Sequence, residues 1–242
     1  MTVALFYVKI VARACKAGKA VIFMTCRIKQ LASSLKIKGL IMDINDAAIY
    51  QEMLIHPAIF SHFFPQKIAI IGDVNCHLLE EALKHETLTE IWEITPYLSQ
   101  EPPKQANIHY YDNLPTLPAD HFDIIVTTEN YSEDAMPGLF NALLSDGVLV
   151  QLGDSPFNVA SLRAMQIHLQ LIGFRDVHIL SFPQPSYSTG WRAAIMAKKN
   201  SIFKRVREKA IFNKNFSTQY YNLDVHKGSL VIPEFMREAL TI

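Results

Sequence analysis

Cysteine is scarce: Cys15, Cys26 and Cys76 are the three in 242 residues, an odd number with no Cys-x-x-Cys spacing. That scarcity excludes a disulfide framework and a thiolate zinc site, and makes a reducing cytoplasm the expected compartment. The histidines, His77 and His85 among them, lack metal-ligand spacing. They are expected to face solvent or satisfy backbone groups, and no metal is expected. Net charge is absent as well, with 23 Lys and Arg against 23 Asp and Glu, which argues against bulk attraction to nucleic acid. No apolar run approaches a membrane-spanning length. The opening VALFYVKIVARAC is interrupted by Lys9 and Arg13 and reads as strand rather than as a targeting segment. Internal repeats and low-complexity tracts are missing. Acidic residues are missing too before Asp43, where Lys9, Arg13, Lys16, Lys19, Arg27, Lys29, Lys36 and Lys38 fall. The remainder is therefore net acidic, which suits a cationic ligand.

What is present is a hydrophobic half, 50% of the residues, enough for a sizeable core. The length fits one large α/β domain with a small appendage. Residues 1–45 alternate short apolar and basic runs and are expected to form a small N-terminal β-rich region. From Asp46 the period becomes helical, with Ile49, Met53 and Leu54 in step until Pro57. KIAIIG (67–72), FDIIVTTE (122–129) and GVLVQLG (147–153) are apolar runs of the kind that form buried parallel strands. TEIWEI (89–94) and NIHYYD (107–112) add two more strands, and VHILSF with RAAIMAKK (192–199) suggests a closing hairpin-like pair. HLLEEALKH, PGLFNALL and VASLRAMQIHLQLIGF read as intervening helices, the last closing at Gly173. Such alternation implies a mostly parallel, doubly wound sheet. Ligands in such sheets bind beyond the carboxyl ends of the strands. Those ends carry Gly72, Asp73, Asn75, Glu93, Asp112, Thr128, Glu129, Gln151 and Asp154.

Two segments carry a family resemblance. AIYQEMLIHPAIFSHFFPQKIAIIGDVNCHLLEEALKH (48–85) resembles the part of spermidine synthases where a Tyr-(His/Gln)-Glu-Met helix leads into the first strand of a nucleoside-binding sheet. YYNLDVHKGSLVIPEFMREAL (220–240) resembles the C-terminal tail of the same family. The resemblance is weak before residue 45 and implies a Rossmann-like, methyltransferase-type domain at 46–242. It also implies an SN2 displacement. An amine such as putrescine attacks the aminopropyl carbon beside the sulfonium of decarboxylated S-adenosylmethionine, releasing methylthioadenosine and a proton. That nucleoside is a co-substrate, not a permanently bound cofactor. The resemblance further implies a homo-oligomer, commonly a dimer, with no nucleic-acid or membrane partner.

Residue by residue, the resemblance assigns the nucleoside site as follows. Gln51 faces the methionine-like end of the nucleoside. Gly72 matches the first glycine of the family's GGGDGG, here GDVNCH, and Asn75 stands where an Asp holds an ammonium group. Glu93 ends EIT in place of the family's EID; its two acceptors suit the two ribose hydroxyls, the alternative being a surface glutamate at a strand end. Asp112 and Asn113 match an Asp-Gly pair whose Asp accepts from the adenine amino group, although an Asx turn accounts for them equally well.

The acceptor side shows the main departures. Tyr50, Gln151 and Tyr187 (PSYSTG against PTYPSG) match residues lining the amine channel. In FDIIVTTE, against the family's YDVIIVDSSDP, Thr128 takes the place of the Asp that receives the amine proton, and Tyr131 that of a second acid. A primary amine ionises near about 10.4, so deprotonating it at pH 7 costs roughly 4.6 kcal/mol. A carboxylate orients the amine and accepts that proton; a threonine hydroxyl does neither. Glu129, Asp73 and Asp154 are candidate replacement acids, Glu129 only where the strand has ended, since adjacent strand residues point to opposite faces. His226 is expected to be structural, in a tail packed on the body.

Three readings follow. The leading one is a divergent aminopropyltransferase with a displaced acid. A second is a catalytically inactive paralogue acting as a nucleoside-binding or regulatory subunit. A third is another nucleoside-dependent transferase, which would show a basic or backbone donor for an α-carboxylate.

Overall fold

The computed structural model describes residues 46–73, 77–95, 107–128, 135–203 and 206–240; the N-terminal β-rich region expected at 1–45 lies outside them. Seven strands form one sheet: β1 (Lys67–Ile71), β2 (Glu90–Ile94), β3 (Ile108–Tyr111), β4 (Phe122–Thr127), β5 (Leu143–Leu152), β6 (Asp176–Pro183) and β7 (Trp191–Lys198). Their spatial order is β3-β2-β1-β4-β5-β7-β6. The first five run parallel, while β7 is antiparallel to both β5 and β6. This is the expected doubly wound sheet with its closing antiparallel pair. Strand order reverses at β1, which has β2 on one side and β4 on the other, and the carboxyl ends flanking such a switch point are where doubly wound sheets take their ligands.

Strand alternation divides the core in two. Ile68 and Ile70 of β1, Ile124 and Val126 of β4, and Val148 and Val150 of β5 face one layer. Ala69, Ile71, Ile125 and Leu149 face the other. The first layer is covered by α1 (Asp46–Ser61) and α2 (His77–Leu83), and it also buries Ile211, Tyr221 and Leu223 from the tail. Ile211 lies in α5 (Glu208–Phe212) and Leu223 opens α6 (Leu223–Ser229). The second layer is covered by α3 (Met136–Ala142), α4 (Val159–Ile172) and α7 (Glu234–Leu240). Gly173 closes α4 at φ 123, a conformation glycine adopts without a Cβ penalty.

Two expectations from the sequence are corrected. The first helix does not stop at Pro57 but runs through it to Ser61. An interior proline costs about 3 kcal/mol, yet every residue from Glu52 to Phe60 is buried. Burying each large aliphatic side chain returns about 1.5–3 kcal/mol, so packing outweighs the lost hydrogen bond. His85, expected at the surface or on backbone, is buried instead. Its Nε2 lies 2.9 Å from Nδ1 of His56, whose Nε2 is 3.0 Å from Glu81, and its ring meets those of Phe60 and Phe216. His77 is exposed, as expected.

Candidate nucleoside and amine site

The carboxyl edge of the sheet gathers most of the expected residues. Gly72 follows β1 at φ 86, and its N–H donates to the Ile94 carbonyl at 2.9 Å. A side chain there is disfavoured by the backbone itself, so the turn stays bare for close approach. Asp73 is buried and its Oδ2 accepts from the N–H groups of Leu78 (2.6 Å) and Leu79 (3.4 Å). One oxygen of this carboxylate therefore holds the start of α2, which limits its freedom as a replacement acid.

Thr128 closes the end of β4 onto this turn. Its N–H donates to the Ile71 carbonyl at 3.0 Å and its hydroxyl to the Gly72 carbonyl at 2.8 Å. The Tyr50 phenol hydrogen-bonds Thr128, and its pKa is pushed up to about 12 by burial and by the Asp73 charge. Gln151 is buried at the end of β5, in register with Thr127 on one side and Ile195 on the other. Gln51 is half-buried on α1, while Asp112 and Asn113 are exposed just past β3. Asn75 and Glu129 lie outside the described residues.

Glu93 is fully buried, so the surface-glutamate alternative is excluded. Among the described residues neither of its carboxyl oxygens has a hydrogen-bond partner. Burial, with the Asp73 charge, pushes its pKa up to about 9. An unpartnered buried carboxyl is costly, and groups in that condition concentrate where a ligand supplies the missing donors. The linkage has a definite sign. Above its ordinary value of 4.5 the unfolded chain loses this proton while the folded chain keeps it up to about 9. Stability from this residue therefore falls as pH rises through that window. Glu93→Gln is expected to unfold at higher temperature than the parent at pH 8 and to match it near pH 4.5. Melting curves that stay parallel from pH 5 to 9 would contradict a neutral buried Glu93.

Past β5 on the carboxyl edge, the Tyr187 hydroxyl donates to Asp154 at 2.6 Å. The same carboxylate accepts from Ser155 N–H (2.7 Å) and Asn158 Nδ2 (2.6 Å), and these donors hold its pKa below the usual range. The loop bearing Tyr187 is tied to the start of α1, where Asp46 Oδ2 accepts from Ser186 N–H at 2.8 Å. Arg192, at the start of β7, was not foreseen. Its guanidinium carbon sits 4.4 Å from the centre of the Tyr187 ring, and its charge is felt at Tyr50 and Asp154. The available signal was the Gly190 turn, which returns the chain to the carboxyl edge of β5 just before Arg192.

Glu52 has a supporting role that sequence reasoning also missed. It is buried, and its two oxygens accept from the backbone N–H groups of Gln219, Tyr220 and Tyr221 at 2.7, 2.9 and 2.7 Å. His226 is fully buried with Nδ1 2.8 Å from the Tyr221 hydroxyl, as a structural role requires. Among the described residues no cluster of His, Cys, Asp and Glu is arranged to hold a metal, and no helix is long and apolar enough to cross a membrane.

Comparison with known proteins bears on the family and the fold. No family model matches the chain. A polyamine aminopropyltransferase of Nitrosococcus oceani is 32% identical over 230 aligned residues, covering 84% of this chain and 80% of the relative. Among solved structures, spermidine synthase from Thermotoga maritima superposes with a TM-score of 0.71 at 22% identity, covering 83% of this chain and 77% of the other. A spermidine synthase in complex with the transition-state analogue AdoDATO gives 0.72 at 21% identity, covering 83% and 78%. At those identities the structural matches establish the fold.

Proposed function

Because the chain belongs to the polyamine aminopropyltransferase family, we propose that it moves the aminopropyl group of decarboxylated S-adenosylmethionine onto an amine such as putrescine. The observation that carries this reading is Glu93: a buried carboxyl on the carboxyl edge whose two oxygens have no partner among the described residues. A ribose diol, whose two hydroxyls each donate and accept, supplies a partner for both oxygens of such a group. Gly72 beside it leaves room for the nucleoside, Asp112 and Asn113 lie on the β3 side for the base, and Gln51 serves the sulfonium end.

The amine nitrogen attacks the aminopropyl carbon, the carbon–sulfur bond breaks with its electron pair going to sulfur, and methylthioadenosine leaves. The sulfonium supplies much of the driving force, so alignment is the protein's main contribution. Tyr50, Gln151 and Tyr187 border the amine's path. Thr128 supplies no charge to receive the proton; Glu129 is the acid nearest to it in the chain. We also take the protein to be a cytoplasmic homo-oligomer, on its cysteine pattern and the family resemblance.

A second reading is favoured by one observation, the hydroxyl of Thr128 in place of a carboxylate. It is a nucleoside-binding paralogue without turnover. The test is incubation of the purified protein with decarboxylated S-adenosylmethionine and putrescine, following methylthioadenosine by chromatography. Putrescine-dependent product, with Glu93→Gln weakening nucleoside binding tenfold or more, is the expected result. Nucleoside binding without product would favour the paralogue. Absence of binding would remove both.

A further inference from the structure

We propose that the acceptor amine of this protein carries a carboxylate, as an α-amino acid with a side-chain amine does, and that the Arg192 guanidinium receives it. The inference rests on the aminopropyl-transfer reading and names the acceptor class for that same site. Arg192 pairs with Phe182 across the β6–β7 ladder, and the next residue, Ala193, donates its N–H to the Asp154 carbonyl at 2.8 Å. The side chain thus starts at the carboxyl edge, just past the last parallel strand. Its guanidinium is stacked on Tyr187 at 4.4 Å, which fixes the direction of the fork. It joins none of the Lys and Arg ion pairs among the described residues, and its Nε is buried without a hydrogen-bond partner.

Among the described residues, the carboxylates on this edge are held by donors other than Arg192. Asp154 is held by three donors of its own, Asp73 is engaged at the start of α2, and burial keeps Glu93 protonated at neutral pH. Thr128 adds none. A bare diamine, cationic at both ends, brings an ammonium group toward this guanidinium and offers its unpaired Nε–H no acceptor. An amine bearing a carboxylate converts that repulsion into a charge-assisted, bidentate pair.

The α-carboxylate of S-adenosylmethionine is a second source of the same group. Glu93 on β2 and Arg192 on β7 are separated by four strand spacings, roughly 19 Å at about 4.8 Å each. That separation, with the stack on Tyr187, puts Arg192 on the acceptor side of the site. The reaction is otherwise unchanged. The side-chain amine forms the new carbon–nitrogen bond and releases one proton to solvent, the carbon–sulfur bond breaks, and the carboxylate takes no part in bond making.

The test is calorimetric titration of ornithine and putrescine, which differ by one carboxylate, into protein saturated with methylthioadenosine. Ornithine is expected to bind at least tenfold more tightly. Arg192→Gln, checked for folding by its melting curve, should erase that preference, and Arg192→Lys should keep part of it. Putrescine binding as tightly as ornithine to the unaltered protein overturns the proposal and leaves the nucleoside site standing. So does binding of neither amine while methylthioadenosine binds. If S-adenosylmethionine outcompetes its decarboxylated form and the Arg192→Gln variant loses that advantage, the carboxylate belongs to the donor and the acceptor assignment is overturned. Failure of methylthioadenosine to bind overturns this proposal together with the site reading beneath it.

Discussion

Glu52→Gln is expected to destabilise the protein by about 3–5 kcal/mol, seen as a lower midpoint in urea at unchanged slope. The Glu52 carboxylate accepts three backbone N–H groups from Gln219, Tyr220 and Tyr221. Hydrogen bonds to a charged acceptor contribute about 1.5–3 kcal/mol each. Glutamine keeps the shape but offers one acceptor oxygen, and its amide group sets donor against donor. The site is buried, so water does not relieve the mismatch. Tyr50 and Gln51 immediately precede Glu52 on α1, so the damage extends to the site and turnover should fall as well. A loss below about 1 kcal/mol would mean that the tail is held by its apolar contacts alone. The same bonds explain why the resemblance sits in two distant segments. The Tyr-Gln-Glu helix and the YYNLDVH tail are one structural unit joined through a carboxylate.

Legibility in the sequence followed physical range. Strands buried on both faces announce themselves as apolar runs, and KIAIIG, FDIIVTTE and GVLVQLG became β1, β4 and β5. In the closing pair this holds for β7, while β6 is a half-buried edge strand. Pro57 misled because local propensity was outweighed by burial on every side of α1. Burial of Glu93 was implicit in EIWEI, since period two puts it on the face of Ile91, a core residue. A charged side chain on that face reads by default as exposed. Engagement of Asp73 and the stacking of Arg192 on Tyr187 depend on how loops return to the sheet edge, and periodicity carries no such information. Of the polar groups read at the carboxyl ends, Asp73, Glu93, Asp112, Thr128, Gln151 and Asp154 do lie along that edge; their division into holding, capping and stacking roles is set by tertiary contacts.

Thr128→Asp is expected to raise the rate of methylthioadenosine release at saturating amine by about 100-fold. The family resemblance puts an aspartate at this position, and here Thr128 is tied to the Gly72 carbonyl and to the Tyr50 phenol. A carboxylate in its place receives the proton that the attacking amine must lose, a step otherwise left to water or to Glu129. The gain has a structural counterweight. Aspartate cannot donate to the Gly72 carbonyl as the hydroxyl does, and it adds negative charge near Asp73. Loss of about 1–2 kcal/mol of stability should therefore accompany the faster rate. Thr128→Asn separates the causes: it has the shape of aspartate without the charge and should disturb the turn without accelerating turnover. An aspartate variant that folds, binds nucleoside and is no faster would show that the proton already leaves by another route. Glu129→Gln would then be the variant whose rate collapses. If neither substitution changes the rate, proton transfer is not what limits this site, and positioning of the amine against the sulfonium is.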